Sequence, residues 1–265
     1  MREDHSRTLR TRMIPLSDLF KDYTLGEAER RALGQNGHLL LPGLLTDQAS
    51  SRLVLSLRNV VQRGKHAVKG HEPQRFSAEF DDYLASLINH PQMLALARNI
   101  LGQDIRYDHC VSLVRPPGTP AMAWHSHEYA EDDPSLGFIR IFFYVSGFAS
   151  DDGGLKVVPG SHLFRDRSIS AKNDVDLRDD WLLGKTHPET GEDLNIEHLD
   201  APPGSIIIMW THAAHGVVAR KADSTTRYCV VYAYRNPGRS SDARWISEAF
   251  EAQPPSGCAE LMPLY

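Results

Sequence analysis

Apolar and polar positions follow two different periods along this chain, and the change falls after Gly102. Residues 25–34 (LGEAERRALG) are good helix formers closed by a glycine, which suits a helix C-cap. Residues 37–43 form a short apolar run ending in Pro-Gly, the pattern of a strand and turn. Thr46-Asp47 opens a helix over 48–63, where Leu53, Leu55, Leu57, Val60 and Val61 recur with mainly helical spacing. Two more helices are expected over 82–89 and 91–101. Beyond residue 104 the pattern turns to short β-type runs: 105–114, 138–148, 155–159, 206–210 and 227–235, each bounded by Gly or Pro.

Helices first and strands later predict an α+β, mainly β chain. The expected architecture is a jelly roll, a double-stranded β-helix of cupin-like form, with the N-terminal helices packed on one sheet. The chain reads as one domain over 1–265. It divides into a lead-in (1–25), a mainly helical part (26–104), a jelly-roll core (105–235) and a C-terminal segment (236–265). Residues 164–200 are polar and long for a connection, so a lid or insertion over the barrel mouth is expected there.

Composition narrows the class. Hydrophobic residues make up 41% of the 265 positions, enough for a packed core. The net charge of −5 offers no basic footprint for nucleic acid. Three widely spaced cysteines, Cys110, Cys229 and Cys258, suit reduced thiols rather than a disulfide framework. The charged N-terminus has no apolar stretch of a secretory signal, and no window approaches the ~18 apolar residues of a membrane span. A cytoplasmic protein without nucleic-acid or membrane partners is expected; the sequence does not set its oligomeric state.

Two histidine clusters carry the candidate chemistry. In Trp124-His125-Ser126-His127 an extended backbone puts His125 and His127 on one face, able to meet at one metal. In Trp210-Thr211-His212-Ala213-Ala214-His215, either His212 or His215 is a possible third ligand. Arg227 follows twelve residues after His215, and a guanidinium aimed into a barrel can grip a carboxylate with two hydrogen bonds. Tyr107, His109, Tyr129, Arg140, Phe143, Trp210, His212 and Arg235 are expected near the mouth. Of these, Tyr129, Arg140, His212 and Arg235 are the candidate substrate contacts.

Taken with Gly153 to His162 (GGLKVVPGSH), Gly204 to Gly216 and the opening run 37–46, these clusters resemble the phytanoyl-CoA dioxygenase family over roughly residues 30–235. The resemblance implies Fe(II) held at the barrel mouth by two histidines and a carboxylate, with positions left for 2-oxoglutarate and O₂. It assigns His125 and His215 as the histidine ligands and Arg227 as the anchor of the distal carboxylate of 2-oxoglutarate; Phe143, on the 138–148 run near the mouth, is expected to pack against 2-oxoglutarate. The implied reaction oxidises a C–H bond of a small metabolite or natural-product intermediate.

One position departs from the family. Where members carry Asp or Glu, this chain has His127. Three readings follow: a three-histidine set of His125, His127 and His215; a substitute carboxylate among Glu128, Glu131, Asp132 and Asp133; or a scaffold that binds without catalysis. A three-histidine dioxygenase that does not use 2-oxoglutarate is the rival enzyme. The bulk of His127 disfavours halide binding at the metal.

Overall fold

The computed structural model describes residues 18–127, 133, 135–241 and 244–265. Six helices, α1 (Glu27–Asn36), α2 (Asp47–Gly64), α3 (Asp82–Leu87), α4 (Pro91–Leu101), α5 (Asp174–Asp179) and α6 (Glu248–Ala252), accompany ten strands. The strands are β1 (His38–Leu41), β2 (Arg106–Ser112), β3 (Met122–His125), β4 (Phe138–Tyr144), β5 (Leu155–Val157), β6 (Ser170–Ala171), β7 (Glu197–His198), β8 (Ser205–Trp210), β9 (His215–Val217) and β10 (Cys229–Arg235). They form two antiparallel sheets, β1-β8-β4-β10-β2 and β6-β3-β9-β5-β7, packed as the expected jelly roll.

Local chemistry sets the helix ends. Helix α1 runs past Gly34 and stops at Gly37, whose φ of 81° supplies the left-handed cap, so the glycine read as the cap from sequence lies inside the helix. Helix α2 starts where Thr46 accepts the Ala49 amide at 3.1 Å. It buries Ala49, Leu53, Leu57 and Val60, one stripe at helical spacing, and leaves Leu55 and Val61 exposed. Helix α4 begins with Pro91 behind the His90 cap.

The long central strands are apolar throughout because both of their faces are covered. Every residue of β4 is buried. Ile139, Ile141 and Phe143 join Ile206, Ile208, Val230, Tyr232 and Tyr234 under the helices. Phe142 and Tyr144 join Ile207, Met209, Cys229 and Val231 between the two sheets. Two outward tyrosines tie helix to sheet, Tyr232 donating to the Leu84 carbonyl at 2.8 Å and Tyr234 to that of Ile88 at 2.7 Å. All three cysteines are buried and unbridged.

Residues 164–200, expected as a lid or insertion, carry regular structure. They supply both edge strands of the second sheet, β6 and β7, and the short helix α5. Ile169, Leu177, Trp181, Leu182 and Leu194 form a small core of their own against Trp124. Among the described residues no helix is long and apolar enough to cross a membrane.

Candidate metal centre

Strand pairing brings the separated histidines together. His125 ends β3 and pairs in register with His215, which opens β9. Two residues further on, the His127 amide donates to the Thr211 carbonyl at 3.0 Å, which keeps the backbone extended and turns His127 to the side of His125. The ring centroids lie 4.2 Å (His125–His215), 4.8 Å (His125–His127) and 5.1 Å (His127–His215) apart. One ring nitrogen from each falls within 4.8 Å of the others.

The donor set fits a divalent cation. Nδ1 of His125 faces the Ala123 carbonyl and Nδ1 of His215 that of Ala213, both at 2.9 Å. A carbonyl accepts only, so Nδ1 carries the proton and Nε2 keeps its lone pair for a metal. Burial, with Arg140 and the neighbouring imidazoles, holds all three histidines below the ordinary histidine pKa, those of His127 and His215 well below. They are neutral, as ligands must be.

Behind the trio, Asp174 braces its strands. The carboxylate accepts from Trp124 Nε1 at 2.9 Å and from Lys156 Nζ, and faces His198 Nε2 at 3.0 Å. Trp124 precedes His125, and Lys156 lies on β5 beside Val157, the partner of His215.

Beside the trio sits a buried ionic group that only the fold assembles. Register slips between β2 and β10 at Ala233/Tyr234, so Asp108 is an extra residue in β2. Such a bulge re-aims side chains. Tyr107 faces the helices, 6.1 Å from Tyr234, while Asp108 and His109 are fully buried on the barrel side. Asp108 Oδ1 accepts from His109 Nδ1 at 2.7 Å, and Oδ2 lies 3.6 Å from Arg235 Nη1. Burial pushes the Asp108 carboxyl up, but the His109 hydrogen bond and the charges of Arg235 and Arg140 outweigh it and keep it ionised. Burial keeps His109 neutral, and its Nε2 has no partner among the described residues. Arg140 and Arg235 each hold a guanidinium 5.8 Å from the Phe138 ring. Arg140 reaches Thr211 Oγ1 at 3.5 Å and makes no ion pair among the described residues. Burial draws its pKa down to about 10, which leaves it cationic at neutral pH.

The other expected residues fall as follows. Phe143 is on the wrong face of β4 to pack against a ligand in the barrel. It sits under the helices, 5.9 Å from Phe20, and Phe142 and Tyr144 line the interior instead. Tyr107 is likewise outside the barrel. His212 adds no ring nitrogen to the trio; it contacts the His127 backbone and lines a cavity of about 340 Å³ that also touches Leu101, Leu136, Phe138, Arg165 and Trp210. His162 Nε2 donates to the Gly34 carbonyl at 2.8 Å, on the side of α1, and does not join the trio. Asp133 is solvent-exposed and caps Ser135, at 2.8 Å from its amide. Tyr129, Glu128, Glu131 and Asp132 lie outside the described residues. Arg227 is buried at the far end of the barrel interior, its Nη1 donating to the Gly153 carbonyl and its guanidinium 5.3 Å from the Tyr144 ring.

Sequence reading gave no role to Asp108, Arg115 or Arg220. The first is exposed to the site by a bulge, and the others by a pairing across loops, neither of which leaves a periodic signal.

A family model for phytanoyl-CoA dioxygenase (PhyH) matches residues 33–227. No curated protein sequence matches. Several solved structures share the fold. The non-heme alpha-ketoglutarate-dependent carbocyclase SnoK from nogalamycin biosynthesis is 16% identical, with a TM-score of 0.61 over 80% of this chain and 84% of that one. EctD from S. alaskensis, solved with 2-oxoglutarate and 5-hydroxyectoine, is 17% identical, with a TM-score of 0.61 over 82% and 80%. HygX from Streptomyces hygroscopicus, solved with nickel and 2-oxoglutarate, is 16% identical, with a TM-score of 0.59 over 84% and 90%.

Proposed function

The chain belongs to the phytanoyl-CoA dioxygenase family of Fe(II)- and 2-oxoglutarate-dependent oxygenases, and from that premise we propose that it holds iron with three imidazoles, those of His125, His127 and His215. The observation that carries this reading is the convergence of three neutral rings, with the second ring nitrogens of His125 and His215 occupied by backbone carbonyls. Bound iron and 2-oxoglutarate supply the oxidation of a substrate C–H bond by O₂, coupled to decarboxylation of the 2-oxo acid to succinate and CO₂.

The chain's own residues then divide the remaining work. His125 and His215 present fixed lone pairs, because their Nδ1 protons are committed. His127 takes the place of a carboxylate and brings no negative charge. Arg140 adds a positive one beside the same point, so the charge that balances a divalent cation here has to arrive with a bound anion. Arg227 is the anchor for the distal carboxylate of 2-oxoglutarate. The substrate is a small molecule whose body occupies the largely apolar cavity beside Phe138 and His212. Its polar groups meet Arg140 and the open Nε2 of His109, with Asp108 fixing the His109 tautomer and Arg235 holding Asp108. These polar groups set orientation more than affinity.

The test is an anaerobic titration of the Fe(II)-loaded protein with 2-oxoglutarate, read by its visible charge-transfer band. Wild type is expected to form the band, Arg227→Ala to need far more 2-oxoglutarate, and His127→Asp to retain the metal. A band in neither wild type nor Arg227→Ala sinks the 2-oxoglutarate assignment and favours a three-histidine dioxygenase. Unchanged metal affinity in His127→Ala removes His127 from the ligand set.

A further inference from the structure

The end of the barrel opposite the histidines holds three arginines, of which the family assignment uses one. Resting on the function proposed above, we propose that Arg115 and Arg227 act as a pair, and that the distal carboxylate of 2-oxoglutarate is received between two guanidiniums rather than one.

The pairing begins in the backbone. Past the end of β2, an isolated bridge joins Arg115 to Arg227, each amide donating to the other's carbonyl at 2.9 Å. Residues that exchange both bonds stand side by side on one face. Both side chains are buried, Arg115 at 6% exposure and Arg227 at 1%. Like charges placed directly opposite one another are destabilising, and burial removes the water that would screen them. Yet neither forms an ion pair among the described residues. Arg115 Nη2 donates to the Pro120 carbonyl and Arg227 Nη1 to the Gly153 carbonyl, both neutral acceptors. The Nε of each is buried without a partner.

The nearby carboxylate is already engaged. Asp152 Oδ2 pairs with Arg220 Nη1 at 3.0 Å, and Arg220 is the third cation of the group. Gly153 lets these side chains close up. A Cβ there would lie 2.5 Å from Arg220 Cδ and 3.4 Å from Arg227 Nη1, and its φ of +71° further favours glycine. The chain has thus made room for cations while leaving two of them without an anion. Buried charges persist when something pairs with them, and one carboxylate offers enough lone pairs for two guanidiniums.

The position suits the far end of a dicarboxylate reaching from the trio. Val157 pairs with His215, and Gly153 lies four residues earlier in the chain, its amide donating to the Ala219 carbonyl at 3.1 Å. Four residues of extended backbone span about 13 Å. An extended five-carbon dicarboxylate together with an arginine side chain bridges that interval. Tyr144 and Phe148 wall the space, with the Arg227 guanidinium 5.3 Å and 6.0 Å from their rings.

The experiment is calorimetric titration of the Zn(II)-loaded protein with 2-oxoglutarate and with 2-oxobutyrate, which lacks the distal carboxylate. Arg115→Gln is expected to weaken 2-oxoglutarate about tenfold to a hundredfold, as loss of a hydrogen bond to a charged group does, and to leave 2-oxobutyrate unchanged. Arg115→Lys, which keeps the charge, is expected to recover most of the affinity. Arg115→Gln that binds 2-oxoglutarate like wild type overturns the pairing alone. So does equal weakening of both acids, or equal loss in Arg115→Gln and Arg115→Lys, since either marks a structural role. Wild-type protein that binds no 2-oxoglutarate overturns the proposed function and this inference with it.

Discussion

The two ends of the barrel interior are both polar and both buried, but they solve the cost of burial in opposite ways. At the histidine trio, desolvation is met by giving up charge: burial lowers the pKa of His125, His127 and His215, and neutral rings remain beside the charged Asp108, Arg140 and Arg235. At the arginine end that route is closed, because a guanidinium stays charged at any relevant pH. Burial draws Arg115 down to about 10, with Arg227 the next cause, and it is still a cation. The trio therefore keeps lone pairs and the arginine end keeps positive charge, which is what the proposed cation and anion sites need. Between them, Phe142, Leu155, Val157, Met209, Val217 and Val231 pack an apolar wall that shields each from the other's solvent.

The contrast has measurable consequences. The largest effect is expected from His215→Ala, which removes a buried, oriented imidazole of the proposed ligand set. Metal retention, measured by elemental analysis after dialysis, should fall well beyond the about 10–100-fold that loss of a mere orienting neighbour costs. Next comes Asp108→Ala, which leaves Arg235 and Arg140 without their buried counter-charge. Breaking such a group should cost about 3–5 kcal/mol in chemical denaturation. An Asp108→Ala variant as stable as wild type would mean that the guanidiniums at this end are hydrated.

Acid should also destabilise the metal-free protein, and one group shows the sign. Buried His162 has its pKa lowered to about 4, chiefly by burial. Between that value and the unfolded value of about 6.5, the unfolded chain binds more protons than the folded one, so stability is present at neutral pH and falls as pH drops through this window. At pH 5 the loss from this group is roughly 2 kcal/mol. Thermal melts at pH 7, 6 and 5 check it, and a melting temperature that rises with acid contradicts it. The smallest expected effect is that of Asp174→Asn, which weakens the hydrogen bonds behind His125 and costs about 1 kcal/mol. Its metal affinity should drop less than that of any ligand variant, which competition with a chromophoric chelator would measure.

Much of the fold is legible in the sequence, and each departure has its own physical cause. The runs that became β4, β8 and β10 are so apolar that their strand character is plain. Their uniform burial also hid which face was which, and this is why Phe143 was expected in the barrel when it lies under the helices. The polar stretch 164–200 conceals a small core, because Ile169, Leu177, Trp181, Leu182 and Leu194 are scattered among charged residues with no sustained period.

The amino-acid order alone determined the two periods, hence helices followed by a jelly roll, and it put His125 and His127 on one strand face, since side chains alternate along any extended backbone. Only the tertiary structure decided that His215 joins them while His212 does not, because that depends on the β3–β9 register. It also decided that Asp108 turns inward and that Arg115 stands beside Arg227, since a bulge and a bridge between distant segments are set by packing and backbone hydrogen bonds rather than by any local preference.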